Sequence, residues 1–480
     1  MDLKEKTVSG LIWAFIQQFG VQGIGFIITI ILARLLTPAE FGLIAMLTVF
    51  IAVGNSLLEG GLSSSIIRTP DLEEKDYATV FFFNLGGSVL IYIVVYLVAP
   101  FIAEFYQQAA LTLVLRIYAL DFIINAFFGI QNAKLTRDMN FRLQMTIQIP
   151  AVLIGGLLGI VLALHGYGVW SLVWMHLFQS LISTVMHWIF SDWLPILAFD
   201  RACFKRHFHF GYKMTLTGLL DILYRNIYIL IIGKYYSATQ LGFYSRADSL
   251  SQLPVSNLSA IVNKVTYPMF AKITEDDDKL KMVYQKIMKQ VVFWNAPILV
   301  FLAIVAEPLF RCMLTSKWLP AVPYFQILCF AGIMYPLHAY NLNILKVKGR
   351  SDLILKLELL KKGICVMGIL AVIPFGIYGL LYFQLLFNFI GYAINSVYSG
   401  KLIKYPMTEQ IRDLLPLIAV AFMAGACGYL FDHFCIIPLY LNDIVRMLFN
   451  GTVYFLSYAI LSTILKLTPI ADFKQLILKR

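Results

Sequence analysis

Long apolar runs follow one another along almost the whole chain, and short charged or turn-rich breaks separate them. The first run, GLIWAFIQQFGVQGIGFIITIILA, exceeds the roughly 20 apolar residues that a helix needs to cross a bilayer. Taking each run as one span predicts about fourteen transmembrane helices, and hence an all-helical integral membrane protein. The predicted spans are Leu11–Ala33, Gly42–Ile66, Tyr77–Ile102, Leu111–Gln131, Met145–Leu164, Val169–Phe190, Tyr212–Gly233, Phe243–Val265, Lys289–Phe310, Ala321–Leu345, Leu353–Pro374, Ile377–Gly400, Leu414–Phe431 and Val445–Leu465.

Basic residues are distributed unevenly over the connections between these spans. Lys134, Arg137 and Arg142 lead into span five, and comparable clusters lead into spans seven, nine and eleven. The connections on the other side are short and carry few cations. Because positive charge marks the cytoplasmic side and the number of spans is even, we expect both termini to be cytoplasmic.

The composition agrees with a membrane protein. Apolar residues make up 60% of the 480 positions and charged residues 14%, whereas soluble domains have about 45–50% and about 25%. The net charge of +11 lies mainly in short loops, so we expect no nucleic-acid partner. The six cysteines show no CxxC spacing and are interpreted as small apolar side chains rather than metal ligands or disulfides.

A weak internal repeat divides the chain. ARLLTPAEFG at 33–42 aligns without a gap with GKYYSATQLG at 233–242, so that Gly42 meets Gly242. Spans one and seven run in the same direction, which predicts a parallel repeat with substrate bound between halves that rock. The predicted domains are an N-terminal bundle of spans one to six at 1–200, a C-terminal bundle of spans seven to twelve at 201–405, and two extra spans with a cytoplasmic tail at 406–480.

Two carboxylates within spans are candidates for ion coupling. Charged side chains deep in a span are costly and mark functional sites. Glu59, beside Gly60 and Gly61 in span two, is predicted to bind a proton or a sodium ion, although a capping or interhelical hydrogen bond explains it equally well. Asp121 in span four is the second candidate.

Arg116 in span four is the first choice for a functional cation. It lies five residues before Asp121, about 140° round a helix, so the two are not expected to pair directly. Asp221 and Arg225 in span seven lie four residues apart on one helix face. They either neutralise each other or line a cavity, and both interpretations stay open.

Arg246, Lys361 and Lys362 complete the candidate substrate-binding residues. Arg246 lies near the outer end of a span, where snorkelling to the interface also explains it. Lys361 and Lys362 lie about nine residues into span eleven, so either this helix protrudes into the cytoplasm or they line an inward-facing cavity. Arginines and lysines in a cavity would suit an anionic group such as a lipid pyrophosphate.

Several motifs of catalysis are absent from the sequence. It contains no GxxxxGK[ST] loop, no HExxH, no paired Cys/His set and no GxSxG elbow. We therefore predict that the chain is not an enzyme, holds no cofactor and has no metal site.

Several segments carry a resemblance to a known family. They include ARLLTPAEFGLIAM, LRIYALDFIINAFFGIQNAKLTRDMNF, NIYILIIGKYYSATQLGFYSRADSLSQLP and YPLHAYNLNILKVKGRSDLILKLE. With these segments the chain resembles the Wzx-type lipopolysaccharide and teichuronic-acid exporters of the multidrug/oligosaccharidyl-lipid/polysaccharide exporter superfamily. The resemblance implies two six-helix lobes around a cationic cavity plus two extra helices.

The resemblance also implies a function. The chain would flip an undecaprenyl-pyrophosphate-linked oligosaccharide from the inner to the outer leaflet of the bacterial plasma membrane, for surface polysaccharide assembly. Its partners would be this lipid-linked oligosaccharide, membrane lipids, a polysaccharide polymerase and a chain-length regulator, and proton or sodium coupling is expected. Two alternatives stay open: an ion-coupled multidrug antiporter of the same superfamily, and an outer-face polysaccharide polymerase or ligase.

Overall fold

The computed structural model describes residues 3–59, 61–439 and 441–470, without the side chains of 3–11, 59, 210, 213 and 260–265. This part of the chain forms helices and contains no strand, so the predicted all-helical class is confirmed. The chain divides into two compact units, Met1–Gly242 and Phe243–Arg480. The predicted three-part division into domains stays a prediction.

The helices of the first unit are α1 (Leu3–Leu35), α2 (Pro38–Glu59), α3 (Leu62–Arg68), α4 (Glu74–Tyr106), α5 (Ala110–Tyr118), α6 (Leu120–Ala126), α7 (Gly129–Arg137), α8 (Phe141–Leu164), α9 (Val169–Phe190), α10 (Arg201–Arg225) and α11 (Ile227–Tyr235). Helix α12 (Ala238–Lys272) begins at the end of this unit. The second unit continues with α13 (Asp277–Ile304), α14 (Ala306–Leu314), α15 (Val322–Gly332), α16 (Tyr335–Val347), α17 (Ser351–Val372), α18 (Gly376–Leu402), α19 (Met407–Phe431) and α20 (Asp443–Ile464).

Ten stretches of the described chain are helical, long and apolar enough to cross a membrane, or up to 12 if each of two bent helix pairs is one span. The protein is therefore a multi-pass membrane protein, and the number fourteen stays a prediction. One of the ten stretches, Ser351–Leu402, consists of two helices, α17 and α18, that pack against each other. Helix α12 is long enough, but it contains two prolines and many polar residues and is not among the ten.

A glycine-rich face of α8 lets the first unit pack closely. A side chain at Gly156 would collide with Ile28 of α1, and one at Gly155 or Gly159 would collide with Met175 of α9. Small residues at this spacing allow helix backbones to approach each other, which stabilises helix packing inside a membrane. Helices α1, α8 and α9 therefore form one tightly packed group.

In the second unit the last two helices pack onto α13. Helix α19 contacts both α13 and α20, and a side chain at Gly425 of α19 would collide with Val300 of α13. The hydroxyl of Tyr454 on α20 donates a hydrogen bond to the carbonyl of Ala421 on α19 at 3.3 Å. These two helices are therefore integral parts of the second unit.

Three predicted spans are broken in the structure. Predicted span two divides into α2 and α3, and at Gly61, directly before α3, any side chain would collide with the backbone of Gly211 in α10. Predicted span four bends by 46° between α6 and α7, and predicted span seven bends by 48° between α10 and α11. These breaks occur in the three spans that contain Glu59, Asp121 and Arg225, respectively.

Candidate functional site

Arg116 lies in the last turn of α5 and packs against α4. Its Nε donates a hydrogen bond to the carbonyl of Tyr96 at 3.2 Å, and its guanidinium carbon lies 4.1 Å from the centre of the Tyr96 ring. This carbonyl lacks its usual helical donor because the residue four positions later is Pro100, which has no N–H. Arg116 thus completes a hydrogen bond that α4 itself cannot make, and a guanidinium has four further N–H groups with which to bind an anion.

Asp121 lies in α6 and is 8% exposed. Its two carboxylate oxygens accept hydrogen bonds from Asn125 Nδ2 at 2.8 Å and from Ser180 Oγ of α9 at 2.5 Å. A second bond, from Thr184 Oγ1 to the carbonyl of Ile124 at 3.0 Å, joins the same two helices. Asp121 therefore contacts α9, while Arg116 contacts α4, and the two candidates have different neighbours.

Asp221 and Arg225 lie in the last two turns of α10, directly before its bend to α11. Both residues are exposed in the described structure. The bend follows at Asn226, whose side-chain nitrogen donates to the carbonyl of Ile222 at 2.8 Å. A polar residue at this point satisfies a backbone carbonyl where the helical hydrogen bonding is interrupted. The structure thus places this charged pair at the break of the span.

Two other candidates are located less fully. Arg246 is half-buried in the third turn of α12. Glu59 is the last residue of α2, and its side chain lies outside the described part of the chain. Its role in ion coupling therefore stays a prediction.

Lys361 is the most buried of the predicted cations in the second unit. It is 8% exposed, and its Nζ lies 2.5 Å from Glu358 Oε1, one turn earlier in α17. Its neighbour Lys362 is half-buried. Burying the ammonium group of Lys361 costs free energy of desolvation. The carboxylate of Glu358, in the same helix, offsets part of this cost and fixes the position of the ammonium group.

His338 of α16 belongs to the same cluster, and the sequence analysis missed it. At Gly391 of α18, an added Cβ would lie 2.8 Å from the His338 ring and 3.8 Å from the Lys361 side chain. Gly391 therefore makes room for both side chains, and three helices meet at this point. An isolated histidine in an apolar run gives no sequence signal, since its partners are distant along the chain.

A second missed cluster ties α3, α4 and α10 together. Asp76 is 1% exposed and forms an ion pair with Arg206, while its Oδ1 lies 3.1 Å from Nε2 of His207. The other nitrogen of His207, Nδ1, lies 2.7 Å from Ser65 Oγ. The backbone N–H of Glu73 donates to Asp76 Oδ2 at 3.0 Å, which caps the start of α4.

This serine, histidine and aspartate resemble a nucleophilic triad only in composition. Ser65 is 5% exposed, His207 0% and Asp76 1%, so no substrate has access to the hydroxyl. The carboxylate is already shared with a guanidinium and a backbone N–H. The cluster therefore acts as a structural joint between three helices.

The family of the chain follows from its sequence. Residues 31–323 match the model of a family described as polysaccharide biosynthesis protein. The match covers more than half of the chain, and the chain belongs to this family. The resemblance to polysaccharide exporters that its motifs predicted is thereby confirmed.

Individual relatives agree with this assignment. The chain is 26% identical to the lipopolysaccharide biosynthesis protein WzxC of Escherichia coli (strain K12), over 75% of this chain and 74% of WzxC. It is 28% identical to the teichuronic acid biosynthesis protein TuaB of Bacillus subtilis (strain 168), over 73% of each protein. It is 24% identical to the succinoglycan biosynthesis transport protein ExoT of Rhizobium meliloti (strain 1021), over 89% of this chain and 87% of ExoT.

A solved structure shares the fold. The chain is similar to the lipid II flippase MurJ in an inward closed conformation, with a TM-score of 0.74. The likeness covers 95% of this chain and 98% of MurJ at 15% sequence identity. At this identity the likeness shows a common fold.

Proposed function

We propose that this chain is a transporter that moves a lipid-linked oligosaccharide of the undecaprenyl-pyrophosphate type from the inner to the outer leaflet of a bacterial plasma membrane. The observation that carries the proposal is a fold shared with a lipid II flippase over 95% of the chain, in a member of a polysaccharide biosynthesis family. The description of ExoT as a transport protein supports transport rather than catalysis. The protein would act as a transporter and not as an enzyme.

Alternating access between two related halves is the proposed mechanism, and a reciprocal contact supports the repeat. An added Cβ at Gly42 would lie 1.8 Å from the carbonyl oxygen of Ala238, and one at Gly242 would lie 1.8 Å from that of Pro38. Gly42 and Gly242 are equivalent positions of the repeat, two hundred residues apart, and so are Pro38 and Ala238. Each glycine thus contacts the equivalent of the residue that the other glycine contacts. A reciprocal contact of this kind is what two-fold related segments make with each other.

The cations are proposed to hold the pyrophosphate or acidic sugars of the substrate. Arg116 and Arg225 lead this set, with Arg246, Lys361 and Lys362 as further contributors. Guanidinium groups form bidentate hydrogen bonds to phosphate oxygens, whereas ammonium groups act as point charges. Asp121 and Asp221 would balance these charges when the substrate leaves.

Coupling to a proton or sodium gradient would supply the driving force, with Glu59 and Asp121 as the candidate carboxylates. Both termini would be cytoplasmic, since the basic clusters belong to the connections on that side. A polysaccharide polymerase and a chain-length regulator would act on the exported unit as partner proteins.

The test of this function is export in cells. In a strain that lacks its own copy of the gene, the chain with Arg116→Ala and Arg225→Ala is expected to reach the membrane at normal levels. Export of repeat units is expected to fall at least tenfold, because two phosphate-binding groups are lost. The matched control is Arg350→Ala, which removes an exposed cation that is paired with Asp352 in the loop before α17.

Unchanged export in the double variant, at equal protein level, would contradict the proposed binding residues. Accumulation of a cationic dye is measured in the same strains. A change in dye accumulation without a change in surface polysaccharide would instead favour the multidrug antiporter.

A further inference from the structure

An apolar groove of about 470 Å³ opens on the second unit between α15, α18 and α19. Helix α18 contributes Leu385, Phe389 and Tyr392, and α19 contributes side chains on one face from Met407 to Phe422. Several of these residues are exposed, with Leu415 at 61%. We name this cavity the α18–α19 groove, and its volume lies in the range of small-ligand sites, roughly 300–1,000 Å³.

The length of the groove matches one leaflet of a bilayer. The sixteen residues from Met407 to Phe422 extend about 22 Å along α19 at about 1.5 Å per residue. Half of a bilayer with its headgroups measures roughly 20–22 Å. In the orientation proposed above, the Met407 end faces the cytoplasm, so the groove follows the inner leaflet from the headgroup region to the midplane.

The inner end of the groove is positively charged. Lys404 lies in the connection before α19 and Arg412 in its second turn, and both are exposed. The acidic residues of the same stretch are already neutralised by α13, since Glu409 lies 3.1 Å from Lys281 and Asp413 lies 3.0 Å from Lys289. Lys404 also has an acidic neighbour, Asp277 of α13, which is itself paired with Lys348 at 2.6 Å. An anionic headgroup at this end would therefore meet two exposed cations, Lys404 and Arg412.

We propose that the α18–α19 groove binds one acyl chain of an anionic glycerophospholipid of the inner leaflet, with the lipid phosphate at Lys404 and Arg412. The bulk lipid tails are as apolar as the groove. Apolar contact therefore positions the acyl chain but gives little preference for one lipid over another. The preference comes from the two cations, each of which favours an anionic lipid about fivefold. The site rests on the proposed orientation and is separate from the transported substrate.

Binding is tested on the purified full-length protein in detergent by native mass spectrometry, with phosphatidylglycerol and phosphatidylcholine at equal concentrations. We expect a preference for phosphatidylglycerol of roughly 5- to 25-fold that decreases with salt. Lys404→Gln with Arg412→Gln is expected to abolish this preference. The matched control is Lys356→Gln, an exposed cation of α17 outside the groove, which is expected to leave it unchanged.

The position of the chain is tested with a phosphatidylglycerol that carries a photoreactive group on one acyl chain. Labelled peptides are expected to come from α18 and α19, and Ile418→Trp, which fills the groove, is expected to reduce labelling at least fivefold. Leu430→Trp, at an exposed position of α19 outside the groove, is the control. Transport is measured separately, so that loss of lipid binding and loss of transport can be told apart.

Three outcomes would overturn the proposal. The first is equal binding of the two phospholipids, and the second is equal loss of preference in the Lys356→Gln control. The third is complete displacement of the photoreactive lipid by an equimolar polyprenyl phosphate, which would assign the groove to the tail of the transported lipid.

Discussion

At the scale of single residues, two side chains repair hydrogen bonds that proline removes from a membrane-spanning helix. Arg116 donates to the carbonyl of Tyr96, four residues before Pro100. In the second unit the hydroxyl of Tyr458 donates to the carbonyl of Phe293 at 2.8 Å, four residues before Pro297. An unsatisfied carbonyl inside a bilayer is costly, so each donor stabilises a helix that could not satisfy its own backbone.

The contact of Arg116 with the Tyr96 carbonyl predicts that substitutions of Arg116 and of Pro100 have coupled effects on stability. Arg116→Ala should lower the free energy of unfolding in detergent by about 1–3 kcal/mol, because the Tyr96 carbonyl loses its donor. In a Pro100→Ala background the N–H of Ala at position 100 can donate to the Tyr96 carbonyl. In that background Arg116→Ala should lower the free energy of unfolding by less than half as much. A denaturant titration of the four proteins measures this, and equal losses in both backgrounds would show that the contact has no such role.

Tyr458 provides the corresponding test in the second unit. Tyr458→Phe keeps the ring and removes only the hydroxyl, so we expect a loss of about 1–2 kcal/mol that Pro297→Ala largely removes. Tyr429→Phe is the control, since Tyr429 is 59% exposed on α19. If both Phe variants lost the same stability, the hydroxyl of Tyr458 would not be the group that stabilises α13.

At the scale of helices, glycines set the closest approaches. Gly42 lies against the carbonyl of Ala238 at the start of α12, and Gly242 lies against the carbonyl of Pro38 at the start of α2. At both positions the neighbouring atom belongs to the backbone, so no flexible side chain can move aside. The chain is constrained here by backbone against backbone, which leaves no room for repacking.

Replacing either glycine by alanine is therefore expected to destabilise the protein, and by similar amounts. Gly42→Ala and Gly242→Ala should each lower stability by about 1–3 kcal/mol, and the near equality follows from the reciprocal geometry. The control is Gly23→Ala in α1, where an added Cβ meets nothing within 4 Å. Thermal unfolding in detergent measures all three, and a large loss for only one of the two variants would contradict a symmetric contact.

The ends of helices were harder to predict than their existence. Helix α4 begins at Glu74, three residues before the predicted Tyr77, because Asp76 caps the helix, forms an ion pair with Arg206 and contacts His207. A hydropathy pattern places a charged residue such as Asp76 outside a span. It gives no sign of the partners of Asp76, which lie more than a hundred residues away in the sequence. Predicted span two is likewise two helices, α2 and α3, and the contact of Gly61 with α10 at the start of α3 gives no hydropathy signal.

At the scale of the whole molecule, the sequence was informative about class and family and less so about the site. Apolar runs predicted the all-helical membrane fold because lipid permits few alternatives. The motifs around Arg116 and Lys234 predicted the family. The meeting of Lys361 and His338 at Gly391 and the contact of Asp121 with Ser180 could not be read from a linear pattern, since they depend on how helices pack.

The central claim is that the chain moves a lipid-linked oligosaccharide across a membrane, and translocation in liposomes tests it most directly. The purified protein is reconstituted with a labelled undecaprenyl-pyrophosphate oligosaccharide in the inner leaflet of the vesicles, and an external enzyme that cannot cross the bilayer removes exposed sugars. We predict that label becomes accessible in vesicles with the protein, and that it stays protected in protein-free vesicles and in vesicles with the Arg116→Ala, Arg225→Ala variant. Equal protection with and without the protein, under an imposed proton or sodium gradient in either direction, would contradict the account.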